Sequence, residues 1–240
     1  MIVNLNNNVN FILSNPFRIE RTAEQQSEID INWNKFIKDK NPDDFFNGDI
    51  YLANTINKEM SHYNIEIGMS KYSDLIYAKQ TEKIKVRSLF VASYIVTTDN
   101  FFCVIKNKRN RINTIGGLVD KADFINKQFM PIKCLLREWQ EEMGINLNTD
   151  SFFYDVTAKY LKIPDEQENL IPLYPVGILY EIKTSLSSSE LVTYFNSKKD
   201  ITDGEICELL FYNKQTYPII KQQQNAESYI YEMFHHAFNE

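Results

Sequence analysis

The stretch Arg137–Ile145 reads REWQEEMGI and places Glu138, Glu141 and Glu142 within five residues. On a helix, residues three and four apart are neighbours, so these carboxylates would share one face with Cβ atoms about 5–6 Å apart. Crowded like charges repel each other unless a cation neutralises them, and Mg²⁺ characteristically takes a few carboxylates together with waters and substrate phosphates. Arg137 lies four residues before Glu141 and can pair with it. Taken alone, the pattern also fits a solvated acidic face of an amphipathic helix.

The helix that carries this stretch has signals at both ends. Pro131 suits the first helical position, and Gly144 suits the left-handed residue that ends a helix. An apolar stripe lies between them, opposite the glutamates, and predicts packing against a sheet. We expect Leu135, Leu136 and Trp139 to be buried. The whole stripe consists of Ile132, Leu135, Leu136, Trp139 and Met143.

Apolar and β-branched runs on both sides of this helix predict a sheet. Leu89–Val96 is long enough for a buried central strand, and Phe101–Ile105 is its expected hairpin partner. Mixed strands with interspersed helices indicate an α/β or α+β sandwich. Further strands are expected at residues 152–156, 174–180 and 205–212, and further helices at 188–195 and 226–238.

The N-terminal third differs in pattern from the rest of the chain. A helix is expected at about residues 24–38, where apolar side chains recur at helical spacing. It ends before Pro42, because the residue before a proline is pushed out of the helical region. A turn at 45–49 then precedes a strand that begins at 50–52.

We expect residues 1–82 to form an N-terminal extension that packs on a main domain of residues 83–240. The reason is that large aromatic side chains in the extension need burial. A role of the extension in substrate binding or dimerisation is open at this point. The aromatic residues are Trp33, Phe36, Phe45, Phe46 and Tyr51.

Composition excludes several classes of protein. The net charge is -6, from 26 basic and 32 acidic residues, so the usual electrostatic footprint of a nucleic-acid binder is missing. Three cysteines stand far apart without a C-x-x-C pair, which argues against a disulfide framework or a zinc knuckle. The chain has no signal-like start and no apolar run near the ~20 residues of a membrane helix. We therefore expect a cytoplasmic monomer or homodimer with no membrane and no stable nucleic-acid partner.

Together with Gly116 and Gly117, the acidic helix resembles the box of the Nudix hydrolases, G-x5-E-x7-R-E-U-x-E-E-x-G-U, in which U is a bulky apolar residue. The second half of the box matches at every specified position. The matching residues are Arg137, Glu138, Trp139, Glu141, Glu142, Gly144 and Ile145.

The first half of the box departs from the pattern. Counted from Gly117, the spacing to Arg137 is longer than in the family, so we expect an insertion between Asp120 and Pro131. Phe129 stands at the position before the helix where the box has glutamate. Asp120 could substitute for that glutamate if the loop is re-routed.

Two weaker similarities lie outside the box. The segment 203–209, DGEICEL, looks like the acidic strand entrance common in Nudix domains. The N-terminal part resembles a Nudix subgroup that acts on UDP-sugars, through its Trp-containing helix, the turn at 46–48 and the lengthened box loop.

The resemblance implies an α/β/α sandwich around a mixed β-sheet, with an N-terminal extension. It implies a hydrolase that uses Mg²⁺ or Mn²⁺ to split a diphosphate linkage in a nucleoside diphosphate linked to another moiety, such as a nucleotide sugar. Glu138 and Glu142 would be the first metal ligands and Glu141 the next. Arg137 would orient a glutamate.

Other candidate residues come from the surrounding loops. Gly116 and Gly117 let the backbone approach a small-molecule nucleotide, and Arg109, Arg111 and Asp120 could contribute to the phosphate loop. A solvated hairpin is the alternative for the basic residues. A general base could come from a polar loop, for which the alternative is a loop without function. Its candidates are Asp165, Glu166 and Glu168.

The missing box glutamate keeps a second hypothesis open. The chain could be a catalytically weak or inactive Nudix-fold module that binds or senses a nucleotide. An enzyme should need Mg²⁺ for turnover, whereas a binding module should bind its ligand and yield no product.

Overall fold

The computed structural model describes residues 1–5, 9–38, 40, 47–59, 62–165, 173–198, 202 and 204–239. The strands are β1 (Ile2–Asn4), β2 (Val9–Arg18), β3 (Asp49–Glu59), β4 (His62–Lys71), β5 (Leu89–Val96), β6 (Phe102–Asn107), β7 (Ile112–Asn113), β8 (Ile115–Leu118), β9 (Phe124–Ile125), β10 (Gln128–Phe129), β11 (Phe153–Lys162), β12 (Val176–Thr184) and β13 (Ile206–Tyr212). The helices are α1 (Ala23–Ile37), α2 (Tyr72–Thr81), α3 (Pro131–Glu138), α4 (Ser188–Lys198) and α5 (Ser228–Asn239).

A mixed sheet of eight strands forms the centre of the molecule. Its main path runs β1-β11-β12-β5-β6-β13, with β7 paired to β6 and β8 paired to β5. The pair β12–β5 is parallel, and the other pairs in this sheet are antiparallel. The central position of β5 follows from its sequence, LFVASYIV, in which every residue but the last is buried.

Apolar cores cover both faces of this sheet. Because side chains alternate along a strand, Val91 of β5 faces one core and Tyr94 faces the other. Helices α3 and α4 pack in the first core, where Leu135 is fully buried. Helix α5 packs in the second core through side chains such as Phe234. The expected α/β class, a mixed sheet between helical layers, is confirmed.

The N-terminal residues form a second, smaller sheet in the order β2-β4-β3, accompanied by α1 and α2. The predicted helix is present as α1, which Thr22 begins with a capping box, and the predicted strand start lies in β3. The two sheets meet where Ala53 donates its backbone N–H to the carbonyl oxygen of Arg87 at 2.8 Å. Tyr51 is buried, and Trp33 and Phe36 are half-buried. Phe45 and Phe46 lie outside the described residues.

Helix α3 keeps both of its predicted ends, with Pro131 in its first turn and Gly144 left-handed at φ 67°. One prediction about it is wrong, because Leu136 is half-buried whereas Leu135 and Trp139 are fully buried. The last turn, Trp139–Met143, is π-helical rather than α-helical. None of the helices in the described parts of the chain is long and apolar enough to cross a membrane.

Candidate functional site

Strand β8 brings two glycines against the acidic helix. Gly117 pairs with Val91 of β5, and a Cβ atom on Gly117 would lie 2.4 Å from Oε1 of Glu138. Gly116 has φ +148°, and a Cβ atom there would lie 2.1 Å from the carbonyl oxygen of Val91. Both positions therefore require glycine. A side chain at Gly117 would collide with the carboxyl group of Glu138, and one at Gly116 would collide with the backbone of β5.

Glu138 and Glu142 converge on this glycine strand. Glu142 accepts a hydrogen bond from the backbone N–H of Gly116 at 3.1 Å, and the carboxyl group of Glu138 lies against Gly117. Both side chains are buried, with 9% and 8% of their residue surface exposed. Burial raises the pKa of Glu138 to about 7, although the neighbouring Arg137 opposes that rise.

Glu141 is more exposed to solvent than Glu138 and Glu142. Its side chain is 52% exposed and accepts a hydrogen bond from Nη1 of Arg137 at 3.3 Å. Because the same nitrogen also donates to Oε1 of Glu138 at 2.6 Å, the carboxylates of Glu138 and Glu141 share one guanidinium nitrogen. In the described parts of the chain, no three His, Cys, Asp or Glu side chains are already arranged as a metal site.

Arg137 connects the helix to the glycine strand and to a buried aspartate. Its Nε and Nη2 atoms donate to the two carboxylate oxygens of Asp123 at 3.2 and 3.0 Å. Nη1 donates to Oε1 of Glu138 at 2.6 Å, and Nη2 also reaches the carbonyl oxygen of Leu118 at 3.0 Å. The guanidinium group thus fixes Glu138 beside β8.

Asp123 is the site residue that the sequence interpretation missed. Phe129, assigned to the acidic position of the box, is instead a buried core residue of β10. Asp120, the suggested substitute, is exposed and caps a short 3-10 turn through the N–H of Ala122 at 2.9 Å. Asp123 is 1% exposed and stands six residues after Gly117, as G-x5-E requires. Counting forward from the glycine would have found it.

The expected insertion between Asp120 and Pro131 is a small hairpin. Strands β9 and β10 pair antiparallel, with Phe124 opposite Phe129. Because the extra residues form this closed hairpin, Asp123 on one side and Arg137 on the other still meet. The insertion therefore leaves the acid–arginine pair intact.

Trp139 stands at the position after Glu138 where the box pattern has a bulky apolar residue. It is fully buried, and its Nε1 donates to Oγ of Ser93 at 2.7 Å. Its ring packs edge-on against Phe153 at 5.1 Å between centroids. Ser93 lies on β5 and donates in turn to the carbonyl oxygen of Ile115 on β8. Trp139 therefore contacts β5 through Ser93, and Ser93 in turn connects it to β8.

A cleft of about 410 Å³ opens between the carboxylate pair and the N-terminal sheet. Of its described lining residues, five are acidic and Arg137 is the cationic one, so phosphate groups could approach only with accompanying cations. The lining residues are Gly48, Asp49, Ile50, Tyr72, Gly116, Gly117, Leu118, Val119, Asp120, Arg137, Glu138, Glu142 and Glu205.

The basic residues singled out in the sequence lie outside this cleft. Arg111 pairs with Glu227 at 2.5 Å. Arg109 is an exposed residue in the turn after β6. These positions match the alternative interpretation of a solvated hairpin better than a phosphate site.

The part of the suggested base loop that the structure describes does not line the cleft either. Asp165 is exposed and follows Pro164, which lines a separate depression beside β1 and β3. Glu166 and Glu168 lie outside the described residues. Two further carboxylates that line the cleft are Asp120, which follows β8, and Glu205, which precedes β13.

A second depression, of about 200 Å³, shares Gly116, Gly117 and Leu118 with the cleft. Phe90 and Tyr229 contribute aromatic rings with centroids 5.7 Å apart. Other lining residues, such as Asn113 and Glu227, are polar. A flat group with polar edges would suit this depression.

No protein-family model matches the chain, and no curated protein matches it. Solved structures do resemble it. A protein of Deinococcus radiodurans is 12% identical with a TM-score of 0.47, covering 78% of this chain and 96% of its own. A Nudix-family hydrolase of Clostridium perfringens is 18% identical with a TM-score of 0.37, covering 64% and 97%. The Nudix domain of Shewanella oneidensis NrtR, solved with ADP ribose, is 11% identical with a TM-score of 0.38, covering 67% and 94%.

Identities this low and TM-scores this small establish neither the family nor the activity of this chain. Two of the three structures carry the Nudix name, which is the family that the box pattern resembles.

Proposed function

We propose that this chain is a Nudix-type hydrolase that splits a diphosphate linkage in a nucleoside diphosphate linked to another moiety, using Mg²⁺ or Mn²⁺. The observation that carries the proposal is the arrangement of Glu138 and Glu142 against Gly116 and Gly117. Arg137 supports the proposal, because its double hydrogen bond to Asp123 holds the glutamate side of the cleft in place.

The side chains fit a divalent cation of this kind. Mg²⁺ binds through one or two carboxylates and completes its coordination with waters and substrate phosphates, so a third converging carboxylate is not required. Burial raises the pKa of Glu138, and a bound cation would favour its charged form. Glu138 and Glu142 would hold the ion, with Glu141 in reach of its water shell. A bound ion would supply charge neutralisation and water activation.

The chain's own residues supply the remaining functions. Gly117 leaves room for the carboxyl group of Glu138 beside β8. Arg137 keeps Glu138 in one rotamer. Asp120 and Glu205 line the cleft and can accept a proton from the attacking water at a carboxylate oxygen. The depression formed by Phe90 and Tyr229 is where we place the nucleobase of a small-molecule nucleotide.

A nucleotide-binding module without hydrolysis is the second candidate. One observation favours it, since both glutamates already have hydrogen-bond partners within the protein, Arg137 for Glu138 and the backbone N–H of Gly116 for Glu142. The finding of Asp123 at the box position weighs against it, because the residue whose apparent loss motivated that hypothesis has an acidic equivalent.

A product screen separates the two. UDP-sugars, ADP-ribose, NADH, dinucleoside polyphosphates and (d)NTPs would be incubated with the protein and Mg²⁺, and products separated by chromatography. The enzyme hypothesis predicts a mononucleotide product that disappears with EDTA and in Glu142→Gln. Saturable binding of one of these compounds without any product would support the binding module instead.

A further inference from the structure

The N-terminal sheet contacts the catalytic region through the inserted hairpin. Phe11 of β2 packs edge-on against Phe129 with ring centroids 5.0 Å apart. Tyr51 of β3 packs against Phe124 at 4.7 Å, and the two hairpin rings lie 5.5 Å from each other. This hairpin lies between Asp123 and the acidic helix in the chain, and its contacts with β2 and β3 bring the beginning of β3 to the cleft that Glu138 also lines.

The wall that results is built from Gly48, Asp49, Ile50 and Tyr72. The backbone N–H of Tyr72 donates to the carbonyl oxygen of Gly48 at 2.9 Å, which joins the start of α2 to the start of β3. The ring of Tyr72 packs at 90° against Trp33 of α1, with centroids 6.2 Å apart. The wall is therefore positioned by three elements of the N-terminal unit before any ligand binds.

Two polar atoms on this wall are available to a ligand. Oδ1 of Asp49 accepts from Lys71 at 2.8 Å and from Arg18 at 3.3 Å, and the Lys71 hydrogen bond lowers the pKa of Asp49. Neither Oδ2 of Asp49 nor the hydroxyl group of Tyr72 has a hydrogen-bond partner among the described residues. The wall thus offers an ionised acceptor beside a hydroxyl group that can donate or accept.

We propose that this wall binds a hydroxyl-bearing sugar ring of the substrate, through Oδ2 of Asp49 and the hydroxyl group of Tyr72. The inference rests on the proposed function, which places the phosphates at Glu138 and Glu142. An ionised carboxylate repels a further phosphate and accepts hydrogen bonds from neutral hydroxyl groups. The sugar is either the moiety attached to the nucleoside diphosphate or the ribose of the nucleoside itself. The N-terminal unit is accordingly the part of the chain that selects the substrate.

Binding to non-hydrolysable analogues tests this inference. Isothermal titration calorimetry in Mg²⁺ would use methylenediphosphonate, which has no sugar, α,β-methylene ADP, which has one ribose, and α,β-methylene ADP-ribose and UDP-glucose, which carry a second sugar. Asp49→Asn should weaken sugar-bearing analogues about tenfold or more, and Tyr72→Phe about three- to tenfold. Binding of methylenediphosphonate should stay within about twofold of wild type.

Three control variants match these changes. Glu59→Gln removes the same charge at the far end of β3, and Tyr63→Phe removes a hydroxyl group from β4 outside the cleft. Lys71→Gln breaks the same ion pair as Asp49→Asn but keeps the carboxylate. All three should bind every analogue about as wild type does. Equal weakening by Lys71→Gln and Asp49→Asn would overturn the contact with Asp49.

The analogues also tell the two sugars apart and separate this inference from the proposed function. Weakening of α,β-methylene ADP together with the larger analogues assigns the wall to the nucleoside ribose, and weakening of the larger analogues alone assigns it to the attached sugar. If wild type binds methylenediphosphonate and neither variant changes any affinity, or both weaken every analogue equally, the sugar contact is overturned. If wild type binds none of them with Mg²⁺, the proposed function and this inference both fail.

Discussion

At the scale of single residues, the site depends on two close approaches that tolerate little change. One is the buried pair of Asp123 and Arg137, in which an aspartate side chain with 1% exposure accepts from a guanidinium group that also holds Glu138. The other is the contact of Gly117 with the carboxyl group of Glu138. The sequence singled out Arg137, Glu138 and Gly117 through their spacing, but spacing does not reveal which side chains meet, and Asp123 was missed.

Asp123→Ala removes one partner of a buried ion pair and leaves Arg137 without its main acceptor. We expect the free energy of unfolding to fall by about 3 kcal/mol or more, since breaking such a pair is strongly destabilising. Urea denaturation measures this. Asp120→Ala, three residues earlier on the exposed side of the same turn, is the control and should cost much less. Equal losses in the two variants would contradict the role given to Asp123.

Gly117→Ala should disturb Glu138 directly. The added Cβ atom would lie 2.4 Å from Oε1 of Glu138, so the carboxyl group has to move. We expect a loss of about 1–3 kcal/mol in stability, typical of an overpacked site, together with a loss of Mg²⁺-induced stabilisation. Thermal unfolding with and without Mg²⁺ measures both effects. Unchanged stabilisation by Mg²⁺ would show that Glu138 does not need its present position.

At the scale of elements, α3 is the part of the fold that the sequence predicted best. Pro131 and Gly144 marked its ends, and Leu135 and Trp139 marked its buried side. The π-helical last turn, Trp139–Met143, was not predicted, because helical spacing and helix propensity do not distinguish it from an α-helical turn.

Leu135 and Leu136 provide a matched pair for the packing of α3. Leu135 is fully buried in the core, whereas Leu136 is half-buried at its margin. Leu135→Ala should cost about 2–5 kcal/mol, and Leu136→Ala clearly less, because less apolar surface is lost and the cavity can fill with solvent. Urea denaturation of the two variants compares them. A larger cost at Leu136 would contradict the finding that the Leu135 side of the helix packs against the sheet.

The N-terminal elements were harder to predict than the central sheet. Strand β5 is an unbroken apolar run, whereas β2 reads VNFILSNPFR and contains asparagine and proline residues that suggest a turn. Helix α2 begins after Lys71 without a side-chain cap and buries Ser73 and Asp74 on its inner side. Because these buried residues are polar, the sequence of α2 does not show the apolar periodicity on which a helix prediction depends.

At the scale of the whole molecule, the cleft exists because two sheets and an inserted hairpin come together. The eight-stranded sheet provides the glycine strand, and the N-terminal sheet provides the wall with Asp49 and Tyr72. No local sequence pattern could reveal that wall, since it depends on contacts between residues more than 70 positions apart, such as Tyr51 and Phe124.

Limited proteolysis tests whether the N-terminal sheet stays on the main domain. Rings of Phe11, Tyr51, Phe124 and Phe129 join them, so a nick in a connecting loop should leave the fragments associated on size exclusion. Phe129→Ala removes a ring that is 4% exposed and should weaken this association. Free separation of the fragments from nicked wild-type protein would show that the extension is an independent appendage.

The central claim is that Glu138 and Glu142 together hold a divalent cation, and thermal unfolding with increasing Mg²⁺ tests it most directly. Wild type should gain up to about 2.7 kcal/mol of stability when Mg²⁺ reaches 100 times its dissociation constant. Glu138→Gln and Glu142→Gln should lose that gain while remaining folded without metal, and turnover of any identified substrate should fall by orders of magnitude. Glu141→Gln, at the most exposed of the three glutamates, should keep most of the gain. A wild-type protein that Mg²⁺ does not stabilise, or equal stabilisation of all four proteins, would contradict the account.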